Sequence, residues 1–144
     1  MTGEELILIA EEARKNACAP YSGFAVGAAL LSADNKVYTG CNIENSSFGA
    51  TCCAERVALF SAVAAGEKTF SALAIAGGKS GEGVNAFCPP CGICRQALSE
   101  FCSPEFPVYL TDGGQIKVTT LGTLLPEAFT KENIPKKGER HETV

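Results

Sequence analysis

Two short segments of this chain carry thiols, the first of them beside a carboxylate: Cys53-Ala54-Glu55 and Pro90-Cys91-Gly92-Ile93-Cys94. Cys91 and Cys94 are three positions apart, and in the first turn of a helix that spacing puts both sulfurs on one side. Cys53 stands at the expected start of another helix. Both helix starts follow a strand and a loop, so a fold can bring the three thiols together. Unpaired N–H groups and the positive end of the helix dipole favour thiolates at such places. Three thiolates fill three corners of a zinc tetrahedron and leave the fourth open; open sites are catalytic and closed ones structural. Zinc with a water at its open corner lowers that water's pKa from about 15.7 to about 7. Glu55 is near enough in sequence to exchange a proton with such a water without binding the metal.

Neither segment is diagnostic alone. A CxxC pair also marks redox sites and structural zinc, and a lone glutamate in the first turn of a helix is ordinarily solvated. Cys88-Pro89-Pro90-Cys91-Gly92-Ile93-Cys94 is a double CxxC. A closed four-thiolate site including Cys88, or an iron–sulfur centre, is therefore the rival. Against it, Pro89 and Pro90 hold the approach extended and carry Cys88 away from the helix start. Cys52 competes with Cys53, but only Cys53 has Glu55 at the i+2 offset. Cys18, Cys41 and Cys102 read as small buried hydrophobes. His141, the only histidine, lies in a charged tail, so the expected metal set is all thiolate. Three thiolates on one Zn²⁺ leave a net negative site that acidifies water poorly. Arg56 and Arg95 directly follow the two segments and are expected to draw charge from sulfur through hydrogen bonds. Gly77-Gly78-Lys79-Ser80 hints at a phosphate loop, but Leu73 stands where that motif requires its first glycine.

The elements that must position these residues are legible as periodicity. Thr2 and Glu5 form a capping-box pair ahead of a helical stripe, Leu6, Ile9, Ala10, Ala13 and Ala17, stopped before Pro20. Phe24 to Leu31 reads as a strand, Asp34-Asn35 as a turn, and Val37 to Ile43 as the return strand. Cys53 to Ala65 is a helix with Gly66 as its stop. Phe70 to Ala76 is a buried strand, 77–90 a Gly-rich loop, and Cys91 to Phe101 a second helix. Pro107 to Thr111 and Ile116 to Thr120 are strands joined by an Asp112-Gly113 turn, and 121–129 is a short helix or turn. The expected architecture is α/β, a three-layer α-β-α arrangement on a five-stranded mixed sheet. It forms one domain over 1–130, followed by a partly ordered charged tail, 131–144.

Bulk properties bound the function. The chain has 144 residues, 46% of them hydrophobic, which suits a single domain with a real core. No apolar run approaches the roughly 18 residues that span a bilayer, and the acidic start Met1-Thr2-Gly3-Glu4-Glu5 does not read as a secretory signal. A cytoplasmic protein, not on a membrane, is expected. Net charge is −4, which argues against a nucleic-acid partner, since polynucleotide binding uses a basic face. Eight cysteines in a reducing compartment point to metal rather than disulfides.

The longer pattern resembles the small, single-domain zinc-dependent cytidine deaminases. The matching stretches are Ala19-Pro20-Tyr21-Ser22-Gly23-Phe24-Ala25-Val26-Gly27-Ala28-Ala29-Leu30 and Gly40-Cys41-Asn42-Ile43-Glu44-Asn45, then Cys53-Ala54-Glu55-Arg56, Pro90-Cys91-Gly92-Ile93-Cys94-Arg95-Gln96 and Leu124-Leu125-Pro126-Glu127-Ala128-Phe129. The resemblance runs from about residue 4 to 129. It implies one Zn²⁺ per chain on Cys53, Cys91 and Cys94, with Glu55 as proton shuttle. It implies Asn42 and Glu44 on the ribose hydroxyls, Phe24 beside the nucleoside, and backbone groups around Ala54 and Cys91 on the base edge. It further implies a homotetramer with shared sites, in which Phe129 serves a neighbour's base. The reaction implied is hydrolytic deamination of free cytidine and 2'-deoxycytidine, releasing ammonia, in pyrimidine salvage. Asn42 and Glu44 alternate on the expected strand and so point the same way. Cys52 and Cys88 are additions to the family pattern, Phe48 stands where several relatives carry tyrosine, and the tail has no counterpart. Polynucleotide deaminases of the broader superfamily generally use histidine where Cys53 sits. A deaminase for an aminopyrimidine antibiotic is the alternative inside the class. A closed zinc module acting as a binding protein is the alternative outside it, and such a module has no use for Glu55.

Overall fold

Alternation divides the apolar residues between the two faces of one sheet. In β1 (Phe24–Ser32), Ala28 and Leu30 enter one core while Ala29 and Leu31 enter another. In β3 (Phe70–Lys79), Leu73 and Ile75 face the first core, and Ala72, Ala74 and Ala76 the second. The computed structural model, which describes residues 1–136 and 138, places these strands in a five-stranded sheet. The others are β2 (Val37–Cys41), β4 (Pro107–Thr111) and β5 (Ile116–Thr120), and the order is β2-β1-β3-β4-β5. Only β3 and β4 pair parallel; the remaining neighbours are antiparallel.

The helix α1 (Gly3–Ala13) covers one face through Leu6, Ile7 and Ala10. The alanines beneath it let it approach closely. On the other face α2 (Ala54–Ala64) contributes Ala54, Ala58, Leu59 and Ala62, and α3 (Gly92–Ser99) contributes Leu98. A short α4 (Leu121–Leu124) adds Leu121 to the same core. The result is the α/β, three-layer arrangement that the periodicity implies. No helix among the described residues is long and apolar enough to cross a membrane.

Several boundaries differ from the sequence reading. The capping box is present, with Thr2 Oγ1 accepting the Glu5 N–H at 3.1 Å and Glu5 accepting the Thr2 N–H at 2.9 Å. α1 then ends early, and Arg14–Asn16 tighten into a 3₁₀ turn. There Arg14 donates to the carbonyls of Ala25, Glu82 and Lys79 at 2.8, 2.8 and 2.9 Å. β2 stops at Cys41, and Ile43 makes only isolated bridges to Cys18 and Cys52. β3 continues through Gly77 and Gly78 to Lys79 because β1 supplies partners to the end, Val26 for Gly77 and Phe24 for Lys79. α3 ends at Ser99 rather than Phe101. Cys18 is exposed and Cys41 and Cys102 are half-buried, so these three are not fully buried hydrophobes. Cys18 sits outside the sheet proper, held by a single backbone bridge. The first residues of the charged tail, Lys131–Asn133, wind into a capped 3₁₀ turn. His141 and the order expected for the tail's end lie outside the described residues.

Gly40 of β2 lies against α2 so closely that an added Cβ would be 2.2 Å from the Ala54 carbonyl oxygen and 2.5 Å from the Ala58 nitrogen. Both are helix backbone, so relief requires moving α2 itself. Gly40→Ala is expected to cost at least the roughly 1–3 kcal/mol of core overpacking. A thermal melt should show a clear drop in Tm. A melting curve superimposable on the wild type would refute the close-packing account.

Candidate active site and metal centre

Cys53 and Cys91 are the N-cap residues of α2 and α3, both with extended backbone and neither capping its helix through its side chain. Their sulfurs are free to point outward, next to the unpaired N–H groups of the first turn. Cys91 Sγ lies 3.7 Å from Cys53 Sγ and 3.5 Å from Cys94 Sγ. All three sulfurs fall within 4.8 Å of one another. Zn–S bonds of about 2.3 Å at tetrahedral angles set sulfurs about 3.8 Å apart, so the trio fits zinc with small adjustment. Among the described residues no other group of three or more histidine, cysteine or acidic side chains is so arranged, and neither Cys52 nor Cys88 belongs to this one.

The thiols interact strongly. Cys53 is drawn well below the usual thiol range, first by the hydrogen bond from Cys94 and then, against the opposing effect of burial, by Arg56 and Cys91. Cys94 is pushed up in turn, by its bond to Cys53 and by burial. Arg56 Nη2 donates to Cys53 Sγ at 3.5 Å, while its Nε is buried without a protein partner. Arg95 does otherwise than the sequence suggests. Its Nε donates to the Pro90 carbonyl at 2.7 Å and its Nη1 to the Leu124 carbonyl at 2.6 Å. Those carbonyls engage the guanidinium, and Arg95 braces the loop before α3 instead of reaching a sulfur. Arg56→Ala is therefore expected to lower kcat about tenfold, the scale of one hydrogen bond to a charged group, with zinc content nearly unchanged. Unaltered turnover alongside a full complement of zinc would remove Arg56 from the chemistry.

Glu55 follows in the first turn of α2 and is 4% exposed. Burial lifts its carboxyl to about 7, and the nearby Cys53 thiolate pushes the same way. A cavity of about 270 Å³ opens beside it, with Cys53, Cys91, Ala54 and Glu55 at the thiol end and Phe24, Asn42 and Glu44 also in its wall. Asn42 and Glu44 reach the same cavity although β2 has ended, because the isolated bridges at Ile43 preserve the extended alternation. Asn42 Oδ1 accepts the Val26 N–H at 2.9 Å and its Nδ2 donates to the Phe24 carbonyl at 2.7 Å.

Ser22, Val26, Thr51 and Cys88 also line the cavity, and neither spacing nor residue type singles out the first three for substrate contact. Ser22 sits in the Pro20-Tyr21-Ser22-Gly23 turn, whose composition reports a bend but not what the bend holds. Phe129 is 63% exposed and lies outside this cavity, its carbonyl accepting from Gln96 Nε2 at 2.8 Å. Phe48 is exposed as well and meets Tyr21 edge-on with ring centres 5.4 Å apart.

Residues 1–110 match the family described as the cytidine and deoxycytidylate deaminase zinc-binding region. The cytidine deaminase of Sporosarcina psychrophila is 48% identical over 141 residues, covering 97% of this chain and 100% of that protein. The cytidine deaminase of Halalkalibacterium halodurans is 44% identical over 135 residues, covering 93% and 98%. The crystal structure of cytidine deaminase from Burkholderia pseudomallei aligns with a TM-score of 0.82 at 48% identity, over 90% of this chain and 100% of that one. A thiol trio spaced for zinc agrees with a zinc-binding region. With likeness in sequence and fold running nearly end to end, this chain belongs to the zinc-binding cytidine and deoxycytidylate deaminases.

Proposed function

We propose that this protein hydrolytically deaminates free cytidine and 2'-deoxycytidine to uridine and deoxyuridine, releasing ammonia, as a step of pyrimidine salvage. The observation that carries this reading is Glu55. A buried carboxyl beside a three-thiol site with an open corner is of no use to a structural zinc module, and it is what a hydrolytic site needs.

Cys53, Cys91 and Cys94 would hold the zinc, which when bound supplies an acidified water and an electrophilic centre. Glu55 moves the protons. With its carboxyl lifted to about 7, both protonation states are populated at neutral pH. As a carboxylate it takes a proton from water; as the acid it gives one to N3 of the cytosine ring. The water's oxygen adds to C4, Glu55 carries that oxygen's remaining proton to the exocyclic nitrogen, and the C4–N bond breaks to release ammonia. Backbone groups at the helix starts, around Ala54 and Cys91, would hold the base edge, and Phe24 would lie beside the nucleoside; all three residues line the cavity.

Asn42 and Glu44 take the sugar. A carboxylate has about four acceptor positions. Glu44 Oε1 accepts two N–H groups, from Tyr21 at 2.9 Å and Ser22 at 3.0 Å, and Oε2 accepts the Ser22 hydroxyl. One acceptor position on Oε2 remains. Asn42 Nδ2 has spent one hydrogen on Phe24 and keeps the other. One sugar hydroxyl that accepts from Asn42 and donates to Glu44 satisfies both, which favours a site that tolerates loss of the second hydroxyl and so accepts deoxycytidine.

Residues 1–130 form the catalytic domain in this reading. The reading includes a homotetramer with shared sites, in which Phe129 would serve a neighbour's base; its exposure and its position outside its own chain's cavity support this. The eight free thiols suit the reducing cytoplasm. The test is the absorbance loss as cytidine or deoxycytidine is converted by purified protein, with zinc quantified in the same sample. Zinc-loaded protein that deaminates neither nucleoside would overturn the substrate assignment and direct attention to another aminopyrimidine.

A further inference from the structure

Glu44 has no cationic partner among the described residues: no lysine or arginine forms an ion pair with it. Its orientation rests on the one turn that precedes β1. The Tyr21 and Ser22 N–H groups fix Oε1, and the Ser22 hydroxyl fixes Oε2. The same Ser22 oxygen accepts the Phe24 N–H at 3.1 Å. One hydroxyl thus joins Glu44 to the backbone of Phe24, and all three residues line the cavity. Gly23, at φ +63°, supplies the left-handed turn that brings the Ser22 oxygen back over the Phe24 N–H.

The terminal torsion of a glutamate is broad, so a carboxylate held only at one oxygen samples many orientations. The Ser22 hydroxyl removes that freedom and consumes one of the two acceptor positions on Oε2. What remains on Oε2 is a single, directed position. The same contacts, with the Ser22 hydroxyl first, hold the Glu44 carboxyl below the usual carboxylate range.

We infer that Ser22 is a positioning residue for sugar recognition: through its hydroxyl it aims the Glu44 carboxylate at a hydroxyl of the bound nucleoside. The inference rests on the nucleoside reading above and adds to it a residue that acts through Glu44. It also separates sugar recognition from the base chemistry, because Ser22 touches neither the thiols nor Glu55.

The experiment compares wild type, Ser22→Ala and Ser22→Thr on cytidine and on 2',3'-dideoxycytidine, with zinc measured for each. Ser22→Ala should raise KM for cytidine about tenfold, the scale of a hydrogen bond to a charged acceptor. Its kcat for cytidine should stay within about twofold, since the lost contact is shared by ground and transition states. Its kcat/KM for dideoxycytidine, which offers Glu44 no ring hydroxyl, should also stay within about twofold. Ser22→Thr keeps the hydroxyl and should restore cytidine KM. A turn that is merely part of the scaffold would lower both substrates together, and threonine would not restore one selectively. Equal losses on both substrates, an unchanged KM for cytidine, or no recovery in Ser22→Thr would each overturn the assignment. Wild-type protein that carries zinc yet leaves cytidine untouched would overturn the nucleoside reading itself, a result separate from any ratio between variants.

Discussion

Glu55→Gln is expected to lower kcat for cytidine by about a thousandfold or more, the upper range of what a positioned proton carrier supplies, while the protein keeps its fold and its zinc. The amide is nearly the same size as the carboxyl and fits the same buried position in the first turn of α2. It cannot accept a proton from water or return one to the ring. Because the interaction exists only along the reaction path, kcat and kcat/KM should fall together, with KM little changed. Stability should not suffer. Burial disfavours the charged form of Glu55, and a neutral amide is less costly to bury than a carboxylate. Zinc should remain, since Glu55 is outside the group of sulfurs that fits the metal. Steady-state absorbance assays, metal analysis and a thermal melt on the same preparation decide it. A variant that keeps a tenth or more of wild-type kcat removes the proton role. A variant that is inactive because it has lost its zinc makes Glu55 a support of the metal site instead.

The parts of this site that were legible in the sequence are the local ones. Cys91 and Cys94 share a helical turn, and Cys53 and Glu55 share another, so spacing alone sets their relation. The layers were legible for the same reason: strand alternation and the Thr2/Glu5 box are properties of neighbours. What escaped was decided by partners distant in the chain. Arg56 and Arg95 stand in equivalent places by sequence, but the Leu124 carbonyl, twenty-nine residues on, accepts from Arg95, and only Arg56 reaches a sulfur. Gly77-Gly78-Lys79 reads as loop by composition, yet β1 offers Val26, Ala25 and Phe24 as ladder partners and makes it strand. α1 stops short because Arg14 is captured by carbonyls sixty-eight and sixty-five residues away as well as by Ala25. Ser22 carries no sequence signal for its bond to Glu44, twenty-two residues on. Pairings of this kind leave no periodic trace.

The double CxxC makes the sharpest remaining contrast, and a pair of serine variants resolves it. Cys94→Ser should bring zinc and activity close to zero and lower Tm to that of chelator-treated wild type. Cys88→Ser should keep zinc, activity and Tm near the wild type. Cys94 is fully buried, with its sulfur 3.5 Å from that of Cys91. A serine there substitutes a hard, protonated oxygen for a soft thiolate, and its shorter bond draws the donor back from the metal. Only two thiolates would remain, and because zinc binding is coupled to folding, stability is lost with the metal. Cys88 has the same spacing to Cys91 but a different position. It packs on β3 at Gly77, where an added Cβ would lie 2.7 Å from the Cys88 sulfur. Burial pushes its thiol up to about 11, and its sulfur is not among the three that cluster at ligand spacing. Metal analysis and chelator-dependent melts of both variants are the measurement. If Cys88→Ser also loses its zinc, the site is a closed four-thiolate one, no corner is left for water, and Glu55 has nothing from which to take a proton.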